Sequence, residues 1–173
     1  MNQSIHAPWP PSLEALGPPP DDASDPHDPI GVMRRQHREL VPILRGLAQA
    51  VDRPAPDLKN EVRLRRRVRD GLGELNHFLE NHRDIEESHI FPYLLAGRAE
   101  IESALDDLGD EHIQIFEEMR QLNILMDRLD TERRPGDRGF SALLPVLRDF
   151  LERLWRHTLT EEALLRDWQE RAP

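Results

Sequence analysis

The chain has no cysteine among its 173 residues. Disulfides, thiolate metal ligands, thiolate-held iron–sulfur clusters and a cysteine nucleophile are thereby excluded, so any metal must be held by nitrogen and oxygen. Apolar residues are also scarce, at 38% of the chain. They must be concentrated on one stripe per element, and no run approaches a membrane span. Positive charge is outnumbered: 23 Lys and Arg against 33 Asp and Glu leave a formal charge of -10. That balance argues against a generic nucleic-acid binder and against an anionic membrane surface. The first twenty residues lack the basic start and apolar centre of a secretory signal, and a cytoplasmic location is the expectation.

Residues 1–28 hold seven of the fifteen prolines and the acidic patch Asp21, Asp22 and Asp25. They read as a flexible tail. Trp9, Leu13 and Leu16 make that tail the candidate contact for a protein partner. From residue 29 to the end the pattern is helical throughout. A first helix is expected over about 29–50, with Asp28 as N-cap, Pro29 at the first helical position and Pro42 kinking the interior. Its stripe is Ile30, Met33, His37, Leu40, Val41, Leu44 and Leu47. A second is expected over about 58–95, with Leu58, Val62, Arg65, Val68, Leu72, Leu75, Leu79, His82, Glu86 and His89 on one face. Phe91-Pro92 bends or ends it, and Gly97 closes the turn. A third runs over about 99–130 along Ile101, Leu105, Leu108, His112, Ile115, Met119, Leu122, Met126 and Leu129. A fourth runs over about 141–170 along Leu144, Leu147, Phe150, Leu151, Leu154, His157, Glu161, Leu164 and Trp168. Ser141 is its expected N-cap, which leaves Pro145 near the first turn. The fold expected is all-α, an antiparallel up-down-up-down four-helix bundle.

Two of these stripes carry the same motif, His-x-x-x-Glu, at His82–Glu86 and His157–Glu161. A spacing of four places both side chains on one helix face, one turn apart. His37 and His112 stand alone on the other two. In an antiparallel bundle, residues equidistant from a turn share a height. His82 and His112 centre on Gly97, and His112 and His157 centre on the loop around Pro135. His37 and His82 centre near Lys59, a few residues from the first loop. The four histidines therefore fall near one level, with Glu86 and Glu161 one turn away. A lone histidine on an apolar stripe is ordinarily a core residue with a hydrogen-bond partner. Carboxylates on such stripes are costly to bury unless paired or metal-bound. Six polar residues at one level read as a metal centre; the bland reading is a polar network that fixes register.

Four imidazoles and two carboxylates suit two ions better than one. His37 and His82 would hold one ion, His112 and His157 the other, and Glu86 and Glu161 would bridge. Mixed nitrogen and oxygen ligation with open positions favours two iron ions, with manganese next and zinc as a further alternative. Ferritin-like di-iron bundles differ, since they rely on carboxylates and on Glu-x-x-His.

DPIGVMRRQHREL, HRDIEESHIFPYL, DEHIQIFEEM and RHTLTEEALL together resemble the hemerythrin-like (HHE cation-binding) family, over about residues 27–170. The resemblance implies a four-helix bundle around a non-heme di-iron centre. Oxygen-carrying hemerythrins have a fifth histidine one turn after the third, and Phe116 stands at the matching position here. The set of four histidines and two glutamates looks more like the iron-centre repair type. That type often adds a cysteine-bearing N-terminal module, whereas this chain has a proline-rich tail.

The expected function is therefore to bind or sense a small oxidant (O2, NO or peroxide), or to hold iron for delivery or repair. Two rivals stay open: an enzyme that turns over peroxide or NO at the same centre, and a metal-free helical interaction module. At the margin, His89 faces the same way as His82 and is read as a rim residue. Glu111 is either beside the site or solvated. Glu87 and Glu162 point about 100° from the bridging glutamates and read as solvated. The run RLRRRVR at 63–69 reads as mostly a solvated helix face, with a patch for phosphate or an acidic partner as the alternative.

Overall fold

The computed structural model describes residues 11–16, 28–52, 58–131 and 138–171. Four long helices dominate: α1 (Pro29–Asp52), α2 (Leu58–Ile85), α4 (Glu102–Thr131) and α5 (Arg138–Glu170). A π-helical turn (Glu86–Ile90), the short α3 (Phe91–Gly97) and a 3-10 turn (Ala99–Ile101) link α2 to α4. Among the described residues there is no strand, and no helix is long and apolar enough to cross a membrane. Each long helix packs on the next in sequence, and α1 closes the ring against α5.

Local chemistry explains the boundaries. Asp28 caps α1: its carboxylate accepts from the backbone N–H groups of Ile30 (3.3 Å) and Gly31 (3.0 Å), two of the donors a helix start leaves unpaired. The helix continues past Pro42, which lies on the exposed side. Arg98, in extended conformation, ends the α3 segment after Gly97. A Cβ at Gly97 would stand 3.1 Å from the Trp168 ring, so glycine lets the end of α5 close over this turn. The Trp168 indole donates to the Leu94 carbonyl and its ring lies 5.4 Å from that of Tyr93.

Two expectations are corrected. Helix α5 starts at Arg138, so Ser141 lies inside it and is no N-cap. Burial of Phe140 and Leu143 draws the start upstream, and Pro145 is tolerated on the exposed side. On α2 the apolar stripe enters through Leu64, while Val62 is 55% exposed. The side chain of Leu58 lies outside the described residues. The 63–69 run is mostly exposed; the half-buried Arg65 and the exposed Arg69 donate to the carbonyls of Leu129 and Met126 near the end of α4, where a cation is favourable. Within the proline-rich segment, Leu13–Leu16 form a 3-10 turn, Leu16 is buried in the core, and Arg45 donates to the Pro11 carbonyl at 2.7 Å. Residues 11–16 thus rest on the bundle; Trp9 lies outside the described residues.

The interior falls into two apolar cores. The larger joins the second half of α1, α2 as far as Leu79, the second half of α4 and α5 as far as Leu159. The smaller joins Ile30, Met33, Ile90, Leu94, Ile101, Leu105, Leu108 and Leu165. That alternation of halves is the antiparallel up-down order. Between the cores lies a layer of buried polar side chains.

Candidate metal centre

The polar layer contains all six residues singled out by spacing. His37, Glu86 and Glu161 are fully buried, and His82, His112 and His157 nearly so. Each long helix supplies one histidine. Glu86 opens the π turn and Glu161 lies one turn after His157.

The histidines present their Nε2 atoms to the two carboxylates. Glu86 Oε1 lies 3.3 Å from His82 and 3.9 Å from His37, while Oε2 lies 3.1 Å from His112. Glu161 Oε2 lies 3.1 Å from His37 and 3.9 Å from His82. Its Oε1 lies 2.8 Å from His157 and 3.5 Å from His112. Each carboxylate thus turns one oxygen toward the His37–His82 pair and the other toward His112 or the His112–His157 pair. Yet none of these close approaches has hydrogen-bond directionality. The Nε2 atoms of His37, His112 and His157 and all four carboxylate oxygens are buried without a hydrogen-bond partner. Orphaned polar atoms are rare inside proteins, and seven converging on one point fit the donor set of a metal ion. Two groups could each hold an ion: His37, His82, Glu86 and Glu161, and His112, His157 and Glu161.

The outward Nδ1 atoms are all engaged. His37 donates to Glu162 (2.7 Å), His82 to Gln36 (3.1 Å), His112 to Glu87 (3.2 Å) and His157 to Glu111 (2.7 Å). The pattern runs around the bundle. Gln36 on α1 serves α2, Glu87 serves α4, Glu111 on α4 serves α5, and Glu162 on α5 serves α1. Such bonds fix the ring orientation and leave Nε2 facing the centre. Glu87 and Glu162, expected to be solvated, are therefore partners of the site; Glu162 is 1% exposed. The signal available in sequence was the doubling of polar residues beside each candidate: Gln36-His37, Glu86-Glu87, Glu111-His112 and Glu161-Glu162.

Charge packed into the layer shifts the protonation of His37, His112, His157 and Glu161. Burial disfavours protonated His37, but the carboxylates of Glu161 and Glu162 outweigh it and raise its pKa to about 9. His112 is pushed up to about 10 against its burial by Glu161 and Glu86. His157 is raised to about 9, again against burial, by Glu161 and Glu111. Burial would raise Glu161, yet the surrounding imidazoles hold it well below the usual carboxylate range.

His89 is exposed, and the π turn is the reason. The Phe91 N–H reaches back five residues to the Glu86 carbonyl. Pro92 has no N–H, and its ring would clash with the carbonyl four residues back, so the wider turn accommodates it. The inward stripe becomes His82, Glu86, Ile90 and Leu94, and His89 is rotated out with Tyr93. Phe116 packs against the larger core, with the Arg83 guanidinium 4.4 Å above its ring. Two further rings flank the site: Phe78 stacks on His82 at 5.5 Å and Phe91 on His112 at 6.0 Å.

Fold and site together define an antiparallel four-helix bundle with a buried histidine–carboxylate centre able to hold a cation. Residues 27–168 match the hemerythrin HHE cation-binding domain, and the chain belongs to that family. No curated protein and no solved structure gives a match.

Proposed function

We propose that the chain is a non-heme di-iron protein that binds or senses O2, NO or peroxide, or holds iron for delivery or repair. The observation that carries this reading is the division of each buried carboxylate between two histidine groups. His37 and His82 would hold one ion, His112 and His157 the second, with Glu86 and Glu161 spanning both. Mixed imidazole and carboxylate donors favour iron, then manganese. A bound iron pair would supply a redox-active centre with positions left for a small molecule. The chain's own part is to keep the four Nε2 atoms converged, to hold each Nδ1–H on its acceptor, and to exclude bulk water between two apolar cores. Phe116 offers no nitrogen where oxygen carriers have a fifth histidine, which supports a more open centre of the repair type. The same reading expects a cytoplasmic protein whose partner is a small molecule rather than nucleic acid or membrane, in keeping with the charge of -10.

Metal analysis and absorption spectroscopy of protein from iron-replete cells test this. Two irons per chain with near-ultraviolet charge-transfer absorption are expected. Less than one iron per chain, without such absorption, overturns the reading. Turnover of peroxide or NO above the rate of free iron would instead favour an enzyme at the same centre.

A further inference from the structure

The ring of four Nδ1 acceptors is not uniform. The acceptors for His37 and His82 are sealed: Glu162 is 1% exposed and Gln36 7%. Those for His112 and His157 reach the surface: the side chains of Glu87 and Glu111 are 46% and 49% exposed. Two independent features point the same way. The His37–His82 group gathers four mutually close donor atoms without any adjustment, whereas the His112–His157 group gathers three. A cavity of about 210 Å³ also opens between α4 and α5 at the second group, lined by Glu111, Gln114, Arg153, Arg156, His157 and Thr160. His37 is fully buried, and the cavity of about 430 Å³ between α1 and α2 is lined by Phe78, which stacks on His82, but by neither His37 nor His82.

Resting on the di-metal reading, we infer that the two half-sites are unequal by construction: the His37–His82 ion is the retained one and the His112–His157 ion is the exchangeable one. The exchangeable ion passes through the α4–α5 cavity, and Glu111 is the positioning residue that controls it. The physical reason lies in how each imidazole is aimed. A histidine whose Nδ1 acceptor is sealed in the interior keeps its orientation, because the acceptor has no water to turn to. An acceptor that is half in water can exchange its imidazole partner for solvent, and the ring it was aiming is then free to swing off the ion. Glu111 also lines the cavity, so its departure from His157 widens the passage as it loosens the ligand. The arrangement suits a centre that gives up or takes in one ion while the other holds the bundle together.

The test uses the full chain loaded with Fe(II) or Co(II) under anaerobic conditions. An excess of a coloured chelator is added, and release is followed with time alongside total metal. Two phases of equal amplitude are expected, one ion per chain each. Glu111→Gln should speed the fast phase by about 10–100-fold, the range for loss of a ligand-orienting contact, and leave the slow phase in place. Glu162→Gln should speed the slow phase instead. Gln114→Trp, which fills the cavity mouth without touching a histidine, should slow the fast phase at unchanged stoichiometry. Two ions released in one phase, or both phases moved equally by Glu111→Gln, overturns the inequality and leaves the di-metal reading standing. Total metal below one ion per chain overturns that reading and the inequality with it.

Discussion

Two apolar cores lie on opposite sides of one polar layer, and they are far from equal. Among the described residues the core toward the α1–α2 and α4–α5 connections has twenty-three buried apolar side chains, and the core toward the α2–α4 turn has eight. Buried apolar area is the main source of stability, so the larger core contributes more of it. The smaller one includes the short α3 between a π turn and a 3-10 turn, two geometries with poorer hydrogen bonding than an α-helix. It meets the larger core across the histidines and glutamates. The centre is therefore the joint between a large apolar half and a small one, and metal at that joint should stabilise the small half most.

Chelation should have the largest effect. A ligand at about 1,000 times its Kd adds about 4 kcal/mol, which at about 2–4 °C per kcal/mol lowers the melting midpoint by about 8–16 °C for each ion removed. Hydrogen exchange of the chelated protein should show the loss concentrated around Ile90, Leu94, Ile101 and Leu105, with Leu44, Leu72 and Leu147 still protected. Uniform loss would break the comparison.

Core truncations come next. Leu44→Ala should cost about 2–5 kcal/mol with or without metal. Leu94→Ala should cost a similar amount in the loaded protein. In the chelated protein it should cost clearly less in global unfolding by denaturant, because that end is already loose. Equal costs in both states would show the two cores to be one cooperative unit.

A pH series separates the two states of the joint itself. His37, His112 and His157 have folded pKa values raised to about 9, 10 and 9 from 6.5. Their contribution in the chelated protein is therefore complete below about pH 6.5 and lost as pH rises through 9–10. Metal competes with those same protons, so affinity in the loaded protein rises over that interval. The melting midpoint should fall from pH 7 to 10 after chelation and hold or rise when loaded. Loading at pH 7 should release up to three protons per chain, measurable in weakly buffered solution.

The smallest effect belongs to His89, turned outward by the π turn. His89→Ala should leave the metal content unchanged and stability within about 0.5 kcal/mol. Loss of an ion would mean that the stripe returns to simple α-helical phase when metal binds.

Much of this molecule is legible from residue spacing. The four long helices follow from apolar periodicity, and distances counted from the turns bring His37, His82, His112 and His157 to one layer. The partners of those histidines were harder to read. A residue next to a candidate ligand on a helix lies about 100° around it, and whether it meets solvent or a neighbouring helix depends on packing that one helix does not reveal. Glu162 and Glu87 looked solvated for that reason. The π turn was hidden because Phe91-Pro92 signals a break without saying how the helix upstream adjusts. The early start of α5 was hidden because the Ser141 signal competes with Phe140, whose burial decides the outcome.

The π turn also constrains how this sequence can change. It amounts to one extra residue carried within the α2–α3 helix. Deleting a residue from 87–89 would return the helix to α-helical winding, but Pro92 would then sit in a helix interior, at about 3 kcal/mol or more. Replacing Pro92 first removes that barrier. The two changes are therefore ordered: a lineage could lose the extra residue readily only after losing the proline. The proline acts as a historical ratchet on a turn that sets which side chain follows Glu86 into the interior.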